Sequence, residues 1–306
     1  MGRPIVIMGI FVADAAFAAQ RLPRMGETLL GSAFSLGPGG KGSNQAIAAA
    51  KAGGDTHFIT RLGQDAFGAL AVSSWSEAGV VPHLIEGDSP TGAAFIFLEE
   101  ATGQNAIIVS PGAANDLSPT DLVAQESLIS GAGVFMTQLE APVDAAQTGL
   151  ELARNAGVTT ILNPAPATQL HDEVLRLCDL VTPNESEAEG LTGVAVTDVS
   201  SASEAARALK ERGAGAAIIT LGGQGAWIDA AGKTNHIPAR NAGAVRDTTG
   251  AGDAFNGALA VALSEGAAVL EAAEFATAAA AISVTRAGAG TSMAARAEID
   301  ALRDGH

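Results

Sequence analysis

RDTTGAGDAFNGALAVAL, Arg246–Leu263, sets nearly featureless Thr-Thr-Gly-Ala-Gly backbone between two aspartates, Asp247 and Asp253, and runs at once into an apolar helical stretch. Gly250, Ala251, Gly252 and Asp253 fall where that helix begins. There the first backbone N–H groups lack partners within the helix, and the macrodipole favours negative charge. A phosphoryl group in transfer spreads charge over its oxygens, so pre-aimed backbone donors suit it as an anion cradle. Asp253 at the mouth of the cradle is a candidate general base for an attacking hydroxyl. The plain alternative is an acid in the first turn of a helix. Asp247, across the loop, is a candidate ligand for a hard cation together with neighbouring carbonyls, or else an Asx-turn acid.

Outward from this loop the chain reads as α/β. After residue 115, short β-rich runs alternate with Ala-rich helical segments, the rhythm of βαβ units around a mostly parallel sheet. Expected strands are VFMTQLE (134–140), TTILNPA (159–165), LVTPN (180–184), AAIITLG (216–222) and GAWIDA (225–230). Expected helices are 143–156, 185–191, 201–212, 252–264 and 270–285, and SPTD at Ser118 carries the signals of a further helix start. The first third differs. Extended stretches at 28–36, 93–99 and 105–110 are joined by turn residues without helices between them, and we read them as an antiparallel lid formed by about 13–37 and 91–112. SNQAIAAAKAG (43–53) and DAFGALAVSSWSEAG (65–79) read as helices of the main domain, and one domain spans 1–306.

Composition narrows the function. Seventeen Lys+Arg against 33 Asp+Glu leave a net charge of −16, which opposes nucleic acid and anionic membrane as partners. A small anion binds such a chain only where local dipoles or a metal ion overrule the global field. Hydrophobic residues make up 47% but aromatics only 4%, so the core is built from small aliphatic side chains. One cysteine, Cys178, forms no internal disulfide and fits a reducing, cytoplasmic setting. The N-terminal MGRPIVIMGIFVADAAFAAQ imitates a secretory signal, but Asp14 interrupts it and the apolar run reads equally as a buried first strand. No apolar stretch approaches the ~20 residues of a membrane span.

Five further stretches carry polar chemistry. GPGGKGSNQA (37–46) has the Gly-x-Gly-x-x-Gly spacing of a dinucleotide site, but Thr60-Arg61 stand where the ribose-binding acid belongs. It fails as a Walker A loop because position 35 is Ser and Gly42 follows Lys41. What remains is close backbone approach, a mobile Lys41, and Asn44 and Gln45 opening a helix, a set suited to a polyhydroxylated ligand. In TPNESEAEGLTG (182–193), Asn184 and Glu187 share a helix face, either toward Mg²⁺ and a phosphate or as an ordinary cap. Glu140 in QLE, together with NPAP (163–166), stands at strand ends, where ligands bind in open α/β sheets. TLGGQG (220–225) is another Gly-rich strand end.

GGKGSNQA, NPAP, TPNESEAE, ITLG (219–222), DTTGAGDAFNG (247–257) and AAAISVTRAGAG (279–290) stand in one order along the chain, and in that order the sequence resembles the ribokinase and phosphofructokinase-B type family of sugar kinases over essentially its whole length. The resemblance implies a Rossmann-like three-layer α/β domain with a small β lid, which transfers the γ-phosphoryl of ATP to a sugar primary hydroxyl. The implied product pair is ribose 5-phosphate and ADP. Another pentose, a deoxysugar or a nucleoside is the alternative acceptor, and a catalytically silent sugar-binding regulator the alternative outside catalysis. By position it implies Asp253 as base, Gly250, Ala251 and Gly252 as the anion hole, and Asp14, Gly40, Lys41, Asn44 and Glu140 as sugar ligands. Asn184 and Glu187 match the magnesium-nucleotide pair, Glu187 acting through water, and Thr220, Gly222, Gly225 and Thr277 match the nucleotide pocket. Asp247, Thr249, Ser283, Arg286, Gly288 and Ser292 match the ligands of a potassium ion, the last four largely through carbonyls. A homodimer through the lid is also implied. Two departures stand out: Val12 occupies the place of an Asn two residues before the sugar-binding aspartate, and GGQG lacks a frequent Ser or Arg.

Overall fold

The computed structural model describes residues 2–305. Its first strand, β1 (Ile5–Met8), is buried on both faces: Ile5 and Ile7 enter one hydrophobic core, Val6 and Met8 another. This period-two alternation in a strand with no polar residue demands helices on both sides of the sheet. The apolar N-terminal run that mimics a signal is therefore a central strand.

The chain leaves the core for β2 (Val12–Ala19) and β3 (Ala33–Gly39) and returns through α1 (Lys41–Lys51), β4 (Thr56–Leu62), α2 (Ala66–Ala78) and β5 (Val81–Glu86). It departs again for β6 (Thr91–Glu99) and β7 (Asn105–Gly112). There follow α3 (Pro119–Ala124), α4 (Glu126–Gly131), β8 (Val134–Gln138), α5 (Val143–Asn155), β9 (Thr159–Asn163), α6 (Asp172–Leu175) and β10 (Leu180–Val181). Next come α7 (Glu185–Thr192), α8 (Val199–Glu211), β11 (Ala216–Thr220), the hairpin β12 (Ala226–Ala230) and β13 (Lys233–Ile237), then α9 (Ala251–Ser264), α10 (Val269–Ser283) and α11 (Arg296–Asp304).

Nine strands form the main sheet in the order β13-β12-β11-β10-β9-β8-β1-β4-β5. Every pairing from β11 to β5 is parallel, while β12 pairs antiparallel with both β11 and β13 at one edge. Side chains of α1, α2, α9, α10 and α11 fill one core, and those of α3 to α8 the other. The second sheet, β3-β2-β6-β7, is the lid. Its outer pairs are antiparallel, while the central β2 and β6 run parallel, with Val12 opposite Gly92. Both strands start from the C-terminal edge of the main sheet, so they project from it in the same sense. Asp65 ties the lid down: one carboxylate oxygen caps α2 at Gly68 N (2.8 Å) and the other accepts from Thr91 N (2.8 Å) where β6 begins.

The structure departs from the sequence expectations at edges. Residues 28–32 are not strand, and β5, β13, α6 and α11 appear where none was expected. VPHLIE and KTNHI lie on the two sheet margins, where half the side chains meet solvent and the apolar pattern is diluted. The interior strands end earlier than expected, β9 at Asn163 and β10 at Val181, shortly before prolines that lack the N–H needed to continue pairing. The residues thus released, at the C-terminal edge of the parallel sheet, build the cleft.

Candidate active site

Gly250 caps α9 with φ 78°, a left-handed backbone, and a Cβ there would stand 2.9 Å from Ala289 Cα. Both facts call for glycine. The turn leaves the amides of Gly252 and Asp253 without a protein acceptor among the described residues, and the Ala251 amide makes only a 3.3 Å contact back to the Thr248 carbonyl. These open donors face a cleft of about 210 Å³, which is also lined by Lys41, Asn163, Asn184, Glu187, Thr220 and Asn256.

Asp253 is buried in the first turn of α9, yet its carboxylate is engaged from another helix. Asn44 Nδ2 donates to Oδ2 at 3.0 Å and Gln45 Nε2 donates to Oδ1 at 3.1 Å, both from α1. Burial pushes its pKa up, while Lys41 and the two amides pull it down. A helix-capping acid would face its own N-terminus; this one is aimed across the cleft by groups 208 and 209 residues away in sequence.

The expected sugar ligands converge. Glu140, just beyond β8, accepts from the Lys41 amide at 2.7 Å, and burial lifts its pKa to about 7 against the pull of that bond and of the Lys41 charge. Asp14 on β2 rises to about 6 through burial first and the Asp253 charge second. Gly39 lies against its carboxylate. Gly40 turns the chain from lid to α1 at φ 85°, with Ile10 O so near that a Cβ would come within 2.6 Å. Asn44 Oδ1 is buried and has no protein donor among the described residues, so it suits a ligand hydroxyl. Asp14, Glu140 and Asp253 thus gather at one cleft, and the charge of Lys41 acts on Glu140 and Asp253; carboxylates of this kind can accept hydrogen bonds from the hydroxyls of a neutral polyol.

Asn184 and Glu187 form a reciprocal capping box: Glu187 N donates to Asn184 Oδ1 and Asn184 N to Glu187 Oε2, each at 2.9 Å. The cap does not exclude the site, because both residues line the cleft. Glu187 Oε1 accepts from no donor among the described residues, and burial raises the Glu187 pKa. One such carboxylate fits a magnesium ion that keeps most of its water. Thr220 pairs with Asn184 as an isolated parallel bridge beside the cleft. Gly222 and Gly225 bound the tight turn after β11, where a Cβ at Gly225 would meet the Ile237 carbonyl. Thr277 is not brought into the cleft: it is buried in α10 with its hydroxyl donating to the Ala273 carbonyl at 2.8 Å.

Asp247 closes an Asx turn on Thr249 N (2.9 Å) and also accepts from Gly288 N (2.8 Å), joining the two loops expected to hold potassium. The hydroxyls of Ser283 and Ser292 donate to Ala280 and Ala289 carbonyls, and the Arg286 guanidinium pairs with Glu298. What these residues offer a cation is carbonyl oxygen, and the carbonyls of Asp247, Thr249, Arg286 and Gly288 accept no backbone N–H among the described residues. The donor set fits a monovalent cation.

Sequence reasoning named Gln45 as an amide opening a helix but missed the set of amides behind the base. Gln45, Gln138, Asn163 and Asn256 are all buried at this edge. Each sits inside a stretch already singled out, and the signal was present: amide side chains at the ends of otherwise apolar elements have to be hydrogen-bonded to something.

A parallel sheet with a β lid, open amides at a helix start and a buried acid beside them define a sugar-phosphorylating class of α/β enzyme. The pfkB family carbohydrate kinase pattern matches residues 3–296. A ribokinase of Haemophilus influenzae is 38% identical over 300 residues, 97% of each chain, and a deoxyribokinase of Salmonella typhi is 35% identical over 84% of each. The structure of Arabidopsis thaliana ribokinase complexed with ribose and ATP superposes with a TM-score of 0.92 at 33% identity, covering 99% of both chains. The chain belongs to the pfkB family of carbohydrate kinases.

Proposed function

We propose that this protein transfers the γ-phosphoryl group of ATP to the 5-hydroxyl of D-ribose, giving ribose 5-phosphate and ADP. The observation that carries the reading is Asp253, held by two amide donors beside the unpaired amides of Gly252 and Asp253 itself. Asp14, Asn44, Glu140 and the backbone at Gly40 and Lys41 hold the sugar with its primary hydroxyl toward Asp253. Asp253 accepts the hydroxyl proton as the oxygen bonds to the γ-phosphorus, and the bond to the ADP oxygen breaks. The amides at the start of α9 meet the charge gathering on the phosphoryl oxygens, fixed beforehand and so without reorganisation. Asn184, Thr220 and the Gly222–Gly225 turn take the nucleotide. Magnesium, held by Glu187 through water, would supply charge neutralisation on the phosphates, and potassium at the Asp247–Thr249 and 283–292 loops would support the anion cradle. Lid closure over the sugar keeps water from the γ-phosphorus.

Asp253→Asn is the direct test. Loss of a positioned base costs ~10²–10⁴-fold in kcat, with the fold checked by thermal melting; near-normal turnover in a folded variant removes the mechanism. In the same assay, replacing potassium by tetramethylammonium lowers the rate, and an unchanged rate removes the cation site.

Val12 supports a second reading in which 2-deoxyribose is the better acceptor. It is an apolar residue, 4% exposed, at the start of the lid strand that carries Asp14. The kcat/KM ratio for the two sugars decides between them. We also propose a cytoplasmic setting, which the need for ATP and the free, buried Cys178 support; among the described residues no helix is long and apolar enough to cross a membrane.

A further inference from the structure

The buried amides behind Asp253 form a chain with a single permitted sense. Gln45 Nε2 donates to Asp253 Oδ1 and, at 3.0 Å, to Asn163 Oδ1, while Gln45 Oε1 accepts from Gln138 Nε2 at 2.5 Å. Asn163 is turned correctly for this because its Nδ2 donates to the Thr182 carbonyl at 2.9 Å. The Thr182 hydroxyl donates to Asn256 Oδ1 (2.6 Å), and Asn256 Nδ2 donates to the Gly252 carbonyl (2.9 Å) in the anion loop. A carboxylate at one end and peptide carbonyls at the other can only accept, so every amide between them is fixed in direction. Gln45 is fully buried and Gln138 is 1% exposed, and Gln138 Oε1 has no protein donor among the described residues; reversing either side chain sets acceptor against acceptor at the Gln45–Gln138 or Gln45–Asp253 contact. Gln138 itself is seated by close approach: its Oε1 lies where a Cβ on Gly9 would come within 2.3 Å and one on Gly42 within 2.9 Å.

We propose that Gln45, oriented by Gln138 and Asn163, is a positioning residue for phosphoryl transfer, holding the Asp253 carboxylate in the one orientation that faces the acceptor hydroxyl. A donor to a carboxylate also favours its charged form. It works with Lys41 and Asn44 on α1 against the acids that face Asp253 from other elements: Asp14 on β2, Glu140 after β8 and Glu187 on α7. The inference rests on Asp253 being the base.

The test compares Gln45→Met, Gln138→Met and Asp253→Asn. It measures kcat across pH at saturating ribose and MgATP, so that titration of an empty sugar pocket does not enter. Gln45→Met keeps the volume and removes the donor. Its kcat falls about 10–100-fold, the factor carried by a hydrogen bond to a charged group, and the acid limb of the profile moves to higher pH. Gln138→Met, which touches Gln45 and not Asp253, gives a smaller displacement of the limb in the same direction. A purely structural role lowers the melting temperature and leaves the limb in place, which overturns the proposal. Wild-type kcat and an unmoved limb in Gln45→Met, with Asp253→Asn inactive, overturns the positioning role and leaves the base standing; turnover by Asp253→Asn overturns both. Should Gln45→Met not fold, an unmoved limb in Gln138→Met is the overturning result.

Discussion

At Gly39, an added Cβ would lie 2.3 Å from both carboxylate oxygens of Asp14, whereas at Gly40, next in the chain, it would lie 2.6 Å from the Ile10 carbonyl. The two contacts differ in what has to yield. Asp14 is the end of a side chain and swings aside, so Gly39→Ala leaves the melting temperature within a few degrees and raises KM for ribose about tenfold, the scale of one good hydrogen bond. Gly40→Ala strains backbone at φ 85° against backbone, and costs on the order of 1–3 kcal/mol of stability. Calorimetry beside initial-rate kinetics separates them; equal melting temperatures for both variants contradict this account. Legibility was high at this scale for chemistry and low for geometry. Lys41, Asn44, Glu140 and Asp253 could be named because polar groups beside glycines or at strand and helix ends have few structural uses, and Asp14 through the resemblance to the sugar kinase family. The neighbour each one faces could not be named. Thr277 is one example: its hydroxyl donates to the Ala273 carbonyl one turn earlier in α10, a partner its place in the sequence does not announce.

At the scale of elements, the base is placed by how α9 packs on α1. Gly257 is the point of closest approach: a Cβ there would stand 2.5 Å from Ala48 Cβ and 2.6 Å from the Gln45 carbonyl. Gly257→Ala therefore forces the two helices apart, and with them Asp253 from Asn44 and Gln45. Overpacking of this kind costs typically ~1–3 kcal/mol, and a displacement of about 1 Å at the base costs up to about 10²-fold in rate. Loss of both stability and kcat in one variant is expected; stability loss with unchanged kcat argues that the helices re-seat without moving the base. The helices and interior strands were legible because their periodicity is strong and their caps are explicit, as at Ser118 and Asp65. The marginal strands β5 and β13 and helix α11 were not, since a half-exposed element satisfies its apolar face with few residues and hides the period among polar ones.

For the whole molecule, the lid is the unfinished surface. Phe17, Phe34 and Phe95 pack together on it, with ring centroids 4.8 and 5.8 Å apart, while Phe34 remains 58% and Ile108 70% exposed. An apolar face of this kind on a four-stranded sheet with open edges is a site for association, and we infer that a second lid covers it. Sedimentation of the wild type gives a dimer and of Ile108→Asp a monomer; a wild-type monomer at micromolar concentration ends the inference. A lid covered by a second lid would move less, so the inference also predicts a higher KM for ribose in Ile108→Asp, checked by initial-rate kinetics.

The amino-acid sequence by itself determined the α/β layering, the lid as a separate sheet, the acidic character and the inventory of reactive groups, because periodicity, composition and glycine placement act over a few residues and are written locally. Only the tertiary structure decided which groups meet: the parallel pairing of β2 with β6, the amide chain from Gln138 to Gly252, and the aim of Asp253 across the cleft. Most of those depend on contacts between segments far apart in the chain, 80 residues between Val12 and Gly92, 93 between Gln45 and Gln138 and 208 between Gln45 and Asp253, and the direction of a buried hydrogen bond is set by the partner at its far end.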